Sequence, residues 1–225
     1  MEQQQKKTDI LEKGAILQRD GETFAVTPRI PCGLITDFDL LRRMADVAER
    51  YGAGAIKITS SQRIAIIGVQ EQDLDRIWQE LGMTPGYAFG LCIRSIKACP
   101  GTTYCRLGQQ DAMALGLRIE ERYANQPTPS KLKISVSGCP MDCAEAHVRD
   151  VGLIGSRKGY TVEVGGAVGP SPRLGQAIAE AVSPEEAEEL VGRIIAVYRG
   201  LEKKKRLGKV IEQIGLEDFK ARLAL

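Results

Sequence analysis

An α+β fold in two parts is what this sequence predicts, and three observations predict it. Residues 23–81 read as strand, helix, strand, strand, helix, the order of a ferredoxin-like half. Pro85 and Gly86 then break the pattern. Beyond them, two apolar runs around Lys158-Gly159 read as a hairpin, and Ser183 opens a strongly capped helix.

Taken in order, the start is polar, and residues 1–20 are expected to form a mobile N-terminal segment. Met1-Glu2-Gln3-Gln4-Gln5-Lys6-Lys7 has no apolar run of the signal-peptide kind. Residues 21–84 make the first domain. In it, residues 23–30 read as a strand ending at Pro28 and Pro31. Thr36 is placed to cap a helix carrying Phe38, Leu41, Met44, Val47 and Ala48, stopped by Gly52 and Gly54. Residues 55–59 and 63–69 read as buried strands, and residues 73–81 as a second helix.

Residues 85–225 make the second domain, which begins without a clear period up to Ala98. Leu107, Met113, Leu117 and Ile119 give residues 105–123 helical spacing, ended by Asn125-Gln126-Pro127-Thr128-Pro129. Residues 131–136 read as a strand, on which Lys131 and Lys133 alternate and so share a face. A short helix is expected after Cys143, then strands at 151–156 and 160–164. Ser183-Pro184-Glu185-Glu186 joins a cap, a first-turn proline and first-turn acids, so a helix should run to about Tyr198. Lys203-Lys204-Lys205-Arg206 reads as a solvated face, and no internal repeat is present.

Composition narrows the function classes. The chain has 225 residues, 43% of them apolar, enough to bury a core. A net charge of +2 gives no reason to expect nucleic acid, and no stretch approaches a membrane span. The expected compartment is cytoplasmic, where reducing conditions make the six cysteines ligands or core residues. Cys32 and Cys92 stand apart from the others and read as structural or free thiols.

The other four organise the chain. Five residues separate Cys99 from Cys105, and three separate Cys139 from Cys143. Each pair follows an extended segment and is expected to open a helix, where thiol pKa values fall and the metal-binding thiolate is favoured. The first gap is wider than the roughly two to four residues of common zinc modules, which weakens a zinc site. Four thiolates from two strand-to-helix turns suit an iron–sulfur cubane. A cluster alone, zinc and disulfides remain the alternatives that the spacing by itself leaves open.

The surrounding residues narrow this further. Arg94-Ser95-Ile96-Lys97-Ala98-Cys99-Pro100-Gly101, Cys105-Arg106-Leu107-Gly108, and Lys131-Leu132-Lys133 leading into Ser137-Gly138-Cys139-Pro140 resemble the siroheme and 4Fe-4S sulfite and nitrite reductase family. The resemblance runs from about Phe24 to Phe219 and is to a small, single-repeat, low-molecular-weight assimilatory-type member. It implies a ferredoxin-like half domain followed by a siroheme and 4Fe-4S-binding α+β domain. It also implies that Cys99, Cys105, Cys139 and Cys143 hold the cluster, with Cys143 bridging to the siroheme iron.

By the same resemblance, Arg29, Arg63, Lys131 and Lys133 are expected at the substrate anion, and Arg94, Thr102, Thr103 and Arg106 join Cys143 at the siroheme. The implied reaction is six-electron reduction of sulfite to sulfide. No second cysteine set and no dinucleotide-binding glycine turn occurs, so an external low-potential donor such as a ferredoxin is expected. Ser61 stands before Gln62 where many sulfite reductases carry arginine, a pattern closer to assimilatory nitrite reductases. Nitrite reduction to ammonia is therefore the alternative, and a non-catalytic electron-transfer or redox-sensing subunit is the alternative of another class. Gly165-Gly166-Ala167-Val168-Gly169-Pro170 is implied to be structural or heme-adjacent, with a nucleotide site as the alternative, and His147 reads as a packing residue or one that supports the ligands from behind, not as an axial ligand. With one repeat carrying both cysteines and cations, a twofold homodimer is expected.

Overall fold

A computed structural model of the chain describes residues 7–85, 89–201 and 204–225. The polar start up to residue 6, Gly86 of the Pro85-Gly86 break and Lys203 of the basic run lie outside the described residues. The chain divides into two compact units, Met1–Gly90 and Leu91–Leu225.

The first unit runs β1 (Ala15–Leu17), β2 (Phe24–Val26), α1 (Phe38–Arg50), β3 (Ala55–Ile58), β4 (Ile64–Val69) and α2 (Leu74–Leu81). Its sheet has the order β1-β2-β4-β3 with every pair antiparallel. In α1, Met44, Val47 and Ala48 fall three and four residues apart and turn one buried stripe toward the sheet. There they meet Phe24, Val26, Ile66, Ile77, Trp78 and Leu81. Full burial of each such large side chain contributes roughly 1.5–3 kcal/mol. Gly82 ends α2 at φ 65°, a left-handed position where a side chain would be strained.

Three expectations are corrected here. The helix cap is Asp37, whose carboxylate accepts the Asp39 N–H at 3.0 Å, and not Thr36. Residues expected in a mobile segment up to 20 instead include β1, with Ala15 fully buried and Trp78 Nε1 donating to Lys13 O at 2.8 Å. A three-residue strand is too short to show a period. β3 is exposed along its length, Ile58 at 77%, because it is an edge strand bonded only to β4.

The second unit runs β5 (Lys97–Ala98), α3 (Gly101–Tyr104), α4 (Ala112–Tyr123), β6 (Ile134–Ser137), β7 (Val151–Ser156), β8 (Gly159–Val164), β9 (Gln176–Val182), α5 (Pro184–Gly200), α6 (Leu207–Ile214) and α7 (Leu216–Arg222). Its sheet order is β5-β6-β7-β8-β9, parallel from β5 to β7 and antiparallel after it. The hairpin around Lys158-Gly159 and the helix from Ser183 form as read, the latter with a complete capping box to Glu186. β9 lacks a strand signal: Gln-Ala-Ile-Ala-Glu-Ala-Val favours helix locally, and pairing with β8 overrides it.

Two boundaries differ. The helix expected from Cys105 begins at Ala112, because Asp111 accepts the Ala114 N–H at 3.0 Å and caps it there. The strand expected from residue 131 begins at Ile134, so Lys131 and Lys133 stand on the extended approach to it.

Candidate redox and anion site

β5 and β6 lie side by side in parallel, so the turns that leave their C-terminal ends emerge together. The first carries Cys99 and Cys105, and the second carries Cys139 and Cys143. The two turns are tied by main-chain bonds. Cys99 N–H donates to Val136 O at 3.1 Å, while Gln109 and Gln110 N–H both donate to Gly138 O at 2.9 Å. Gly138 N–H in turn donates to Cys99 Sγ at 3.0 Å.

That closeness needs glycine. A Cβ on Gly138 would stand 2.7 Å from Gln110 O and 2.9 Å from Gly101 Cα, nearer than packed atoms allow. Four-residue α3 between the first two cysteines supplies a helical turn as expected. The second pair departs from expectation. No helix opens at Cys139, and the next regular element is a single 3-10 turn, Ala146–Val148.

The second loop is shaped instead around Asp142, a residue with no role in the sequence reading. Its carboxylate accepts Ser137 Oγ–H at 2.7 Å, Ala146 N–H at 2.7 Å and His147 N–H at 3.1 Å. Asp142 itself sits at φ 47°, a left-handed conformation that aspartate tolerates better than most residues. A loop thus replaces the helix N-terminus as the carrier of Cys139 and Cys143. Just beyond it, Glu145 pairs with Lys97 on β5 at 3.1 Å and with Arg149 at 2.5 Å, so one carboxylate braces both cysteine segments.

All four cysteines are free, Cys139 buried, Cys99 and Cys105 half-buried and Cys143 exposed. Among the described residues, no three His, Cys, Asp or Glu side chains converge as ligands of a single metal ion do. Four cysteine thiolates carried on two adjoining turns are the soft sulfur donor set that a four-iron cluster takes. A backbone N–H already directed at Cys99 Sγ is the kind of contact that supports a cluster thiolate.

The cationic residues fall in both units. In the second, Lys133 is half-buried and Lys131 exposed. Burial, then the charges of Arg149, Lys131 and Arg206, holds the Lys133 ammonium below its ordinary pKa, with Asp150 opposing. Arg94 is half-buried and its pKa is lowered by desolvation, whereas Arg106 and Thr102 are exposed. Thr103 donates its hydroxyl to Asp111 Oδ1 at 2.9 Å. In the first unit, Arg29 is half-buried, and Arg63, 3% exposed, donates from Nη1 to Thr27 O at 3.0 Å. Arg149 and Asp150 were missed. Only the folded register, which sets Asp150 beside Lys133, gives them a place.

Comparison with known proteins places these features. The model of the nitrite/sulfite reductase ferredoxin-like half domain matches residues 16–83, and that of the nitrite and sulphite reductase 4Fe-4S domain matches residues 89–225. An assimilatory-type sulfite reductase of Nitratidesulfovibrio vulgaris is 44% identical over 91% of this chain and 94% of its own length. The NAD(P)H nitrite reductase of Bacillus subtilis is 40% identical over 82% of this chain, which spans only 23% of that protein. Two solved structures share the fold, each over 89% of this chain. They are the NirA protein of Mycobacterium tuberculosis, with a TM-score of 0.77 at 24% identity, and dissimilatory sulfite reductase I, with 0.79 at 16%. The chain spans 39% of the first and 69% of the second.

Proposed function

Because the chain belongs to the nitrite and sulphite reductase family, with both its ferredoxin-like half domain and its 4Fe-4S domain, we propose that it reduces sulfite to sulfide. The observation that carries the proposal is the junction of the two cysteine turns at the Gly138 to Cys99 hydrogen bond, within a chain matching an assimilatory-type sulfite reductase along 94% of that protein. Cys99, Cys105, Cys139 and Cys143 hold a 4Fe-4S cluster, and exposed Cys143 is the thiolate presented to siroheme. Arg94 and Arg106 supply cations for the siroheme carboxylates, with Thr102 and Thr103 alongside. Siroheme, when bound, supplies the iron that takes the anion, and the cluster supplies electrons singly.

The protein's own residues do the rest. Lys131 and Lys133 attract the oxyanion, and within the first unit Arg29 and Arg63 are proposed as anion-attracting cations. A lysine whose ammonium is destabilised by burial and by neighbouring cations gives up a proton more readily, which suits Lys133 to protonate oxygen as it leaves. The sequence given carries no second cysteine set and no dinucleotide-binding glycine turn, so a separate donor of low potential, such as a ferredoxin, is assigned to deliver the electrons. No helix among the described residues is long and apolar enough to cross a membrane. The proposal extends to the cytosol, where these thiols stay reduced, and to a twofold homodimer that light scattering would test.

Nitrite reduction to ammonia is the second reading, favoured by Ser61 before Gln62. Steady-state turnover of sulfite against nitrite with reduced viologen, on protein showing heme-type visible bands, decides between them. A higher kcat/KM for sulfite is expected. Protein that takes up iron and siroheme yet turns over neither anion would overturn the catalytic reading in favour of an electron-transfer or sensing subunit.

A further inference from the structure

Tyr160 lies in the β7–β8 hairpin with no surface exposed, and its hydroxyl has no hydrogen-bond partner among the described residues. An unpaired buried hydroxyl carries the desolvation cost of a polar group with no bond to offset it. A phenylalanine ring would fill the same space without that cost. The register sets Tyr160 opposite Gly155. A Cβ on Gly155 would stand 2.8 Å from the Gly138 carbonyl carbon, and Gly138 N–H lies on Cys99 Sγ. Gln110 fastens the same corner by donating from Nε2 to Ser156 O at 2.7 Å.

The electrostatics of the phenol name the same neighbourhood. Burial foremost, then the negative charges of Asp111 and of a Cys99 thiolate, raise its pKa against Arg118, so it stays protonated and available as a donor. Asp111 is the competing acceptor. Its Oδ1 already receives Thr103 Oγ–H and Ala114 N–H.

We propose that the Tyr160 hydroxyl donates a hydrogen bond to the iron–sulfur cluster at its Cys99 corner and raises the cluster's reduction potential. This rests on the reading that the four cysteines hold that cluster. Reduction adds negative charge to the cluster and its thiolates, so a donated hydrogen bond strengthens in the reduced state. Gly138 N–H acts on Cys99 from the main chain, and Tyr160 adds a side-chain donor that mutation can remove alone.

The test is Tyr160→Phe in the holoprotein, with iron and siroheme contents measured and the cluster potential followed by an EPR-monitored redox titration. Expected are full iron content and a shift of about tenfold toward the oxidised cluster, ~59 mV for one electron. Placing 3-fluorotyrosine at position 160, a stronger donor, should shift the potential the other way. If Tyr160→Phe fails to assemble a cluster, the fluorotyrosine protein still decides. A full cluster whose potential neither replacement moves overturns the proposal and leaves the hydroxyl to Asp111. Wild-type protein that binds no iron overturns the cluster assignment itself, a result that the iron measurement separates from the first.

Discussion

Arg206 holds Asp150 with two arms of its guanidinium, Nε to Oδ1 at 3.1 Å and Nη2 to Oδ2 at 2.6 Å. The same Oδ2 accepts the Lys133 N–H at 2.9 Å. Asp150 is fully buried, and burial pushes its carboxyl up while Arg206 foremost pulls it down. Removing Arg206 leaves an uncompensated buried carboxylate, which typically costs about 3–5 kcal/mol. Arg206→Met should lose stability on that scale in urea unfolding. Asp150→Asn in the same background should lose less than the sum of the two single changes. Strict additivity would show that the pair is not coupled.

Lys133 and Lys131 are expected to separate by burial. Lys133→Met, at the half-buried position, should lower kcat by about 10²-fold or more, within the range of general acid catalysis, while leaving the visible spectrum of the bound cofactors nearly intact. Lys131→Met, at the exposed position, should mainly raise KM for the anion. Steady-state kinetics with a viologen donor reads both, and wild-type constants for both variants would remove the lysines from the site.

Cys105→Ser and Cys139→Ser should each lose iron and the broad absorbance of the cluster, since an alkoxide is a poor match for soft iron–sulfur ligation. Cys143→Ser should also uncouple heme from cluster in EPR spectra. Full iron with an unchanged spectrum in either of the first two variants would contradict the assignment.

Gly138→Ala probes the junction directly. The added methyl meets main-chain atoms of Gln110 and Gly101 that cannot swing away, so a loss of about 1–3 kcal/mol is expected from overpacking. Because Gly138 N–H is bonded to Cys99 Sγ, cluster content should fall as well. Thermal melting and iron analysis check the two effects separately. Gly200→Ala, where a Cβ meets nothing within 4 Å, serves as the control.

His147 Nδ1 lies 2.9 Å from Glu163 Oε2, and that hydrogen bond is the main cause raising the imidazole pKa above its ordinary value. The folded state therefore favours the protonated ring. The resulting stabilisation is complete below the unfolded pKa of about 6.5 and is lost as pH rises through the higher folded value. NMR titration should show the His147 pKa falling in Glu163→Gln. An unmoved titration would mean that the pair carries no charge coupling in solution.

Much of this protein is determined by its sequence alone. The four cysteine positions with their flanking motifs carry the proposed cluster site. The α1 stripe, the β7–β8 hairpin signals and the Ser183 capping box identify elements whose information lies within a few turns of chain. Ligand chemistry and local periodicity are properties of neighbours in sequence, so they can be read there. Only the tertiary structure decided that β9 is a strand, that Cys139 and Cys143 ride on a loop built around Asp142, and that Asp150, Arg206 and Lys133 form one group. In each case the deciding energy comes from partners that meet only after folding: pairing with β8, hydrogen bonds converging on Asp142, and a guanidinium 56 residues beyond the carboxylate it neutralises.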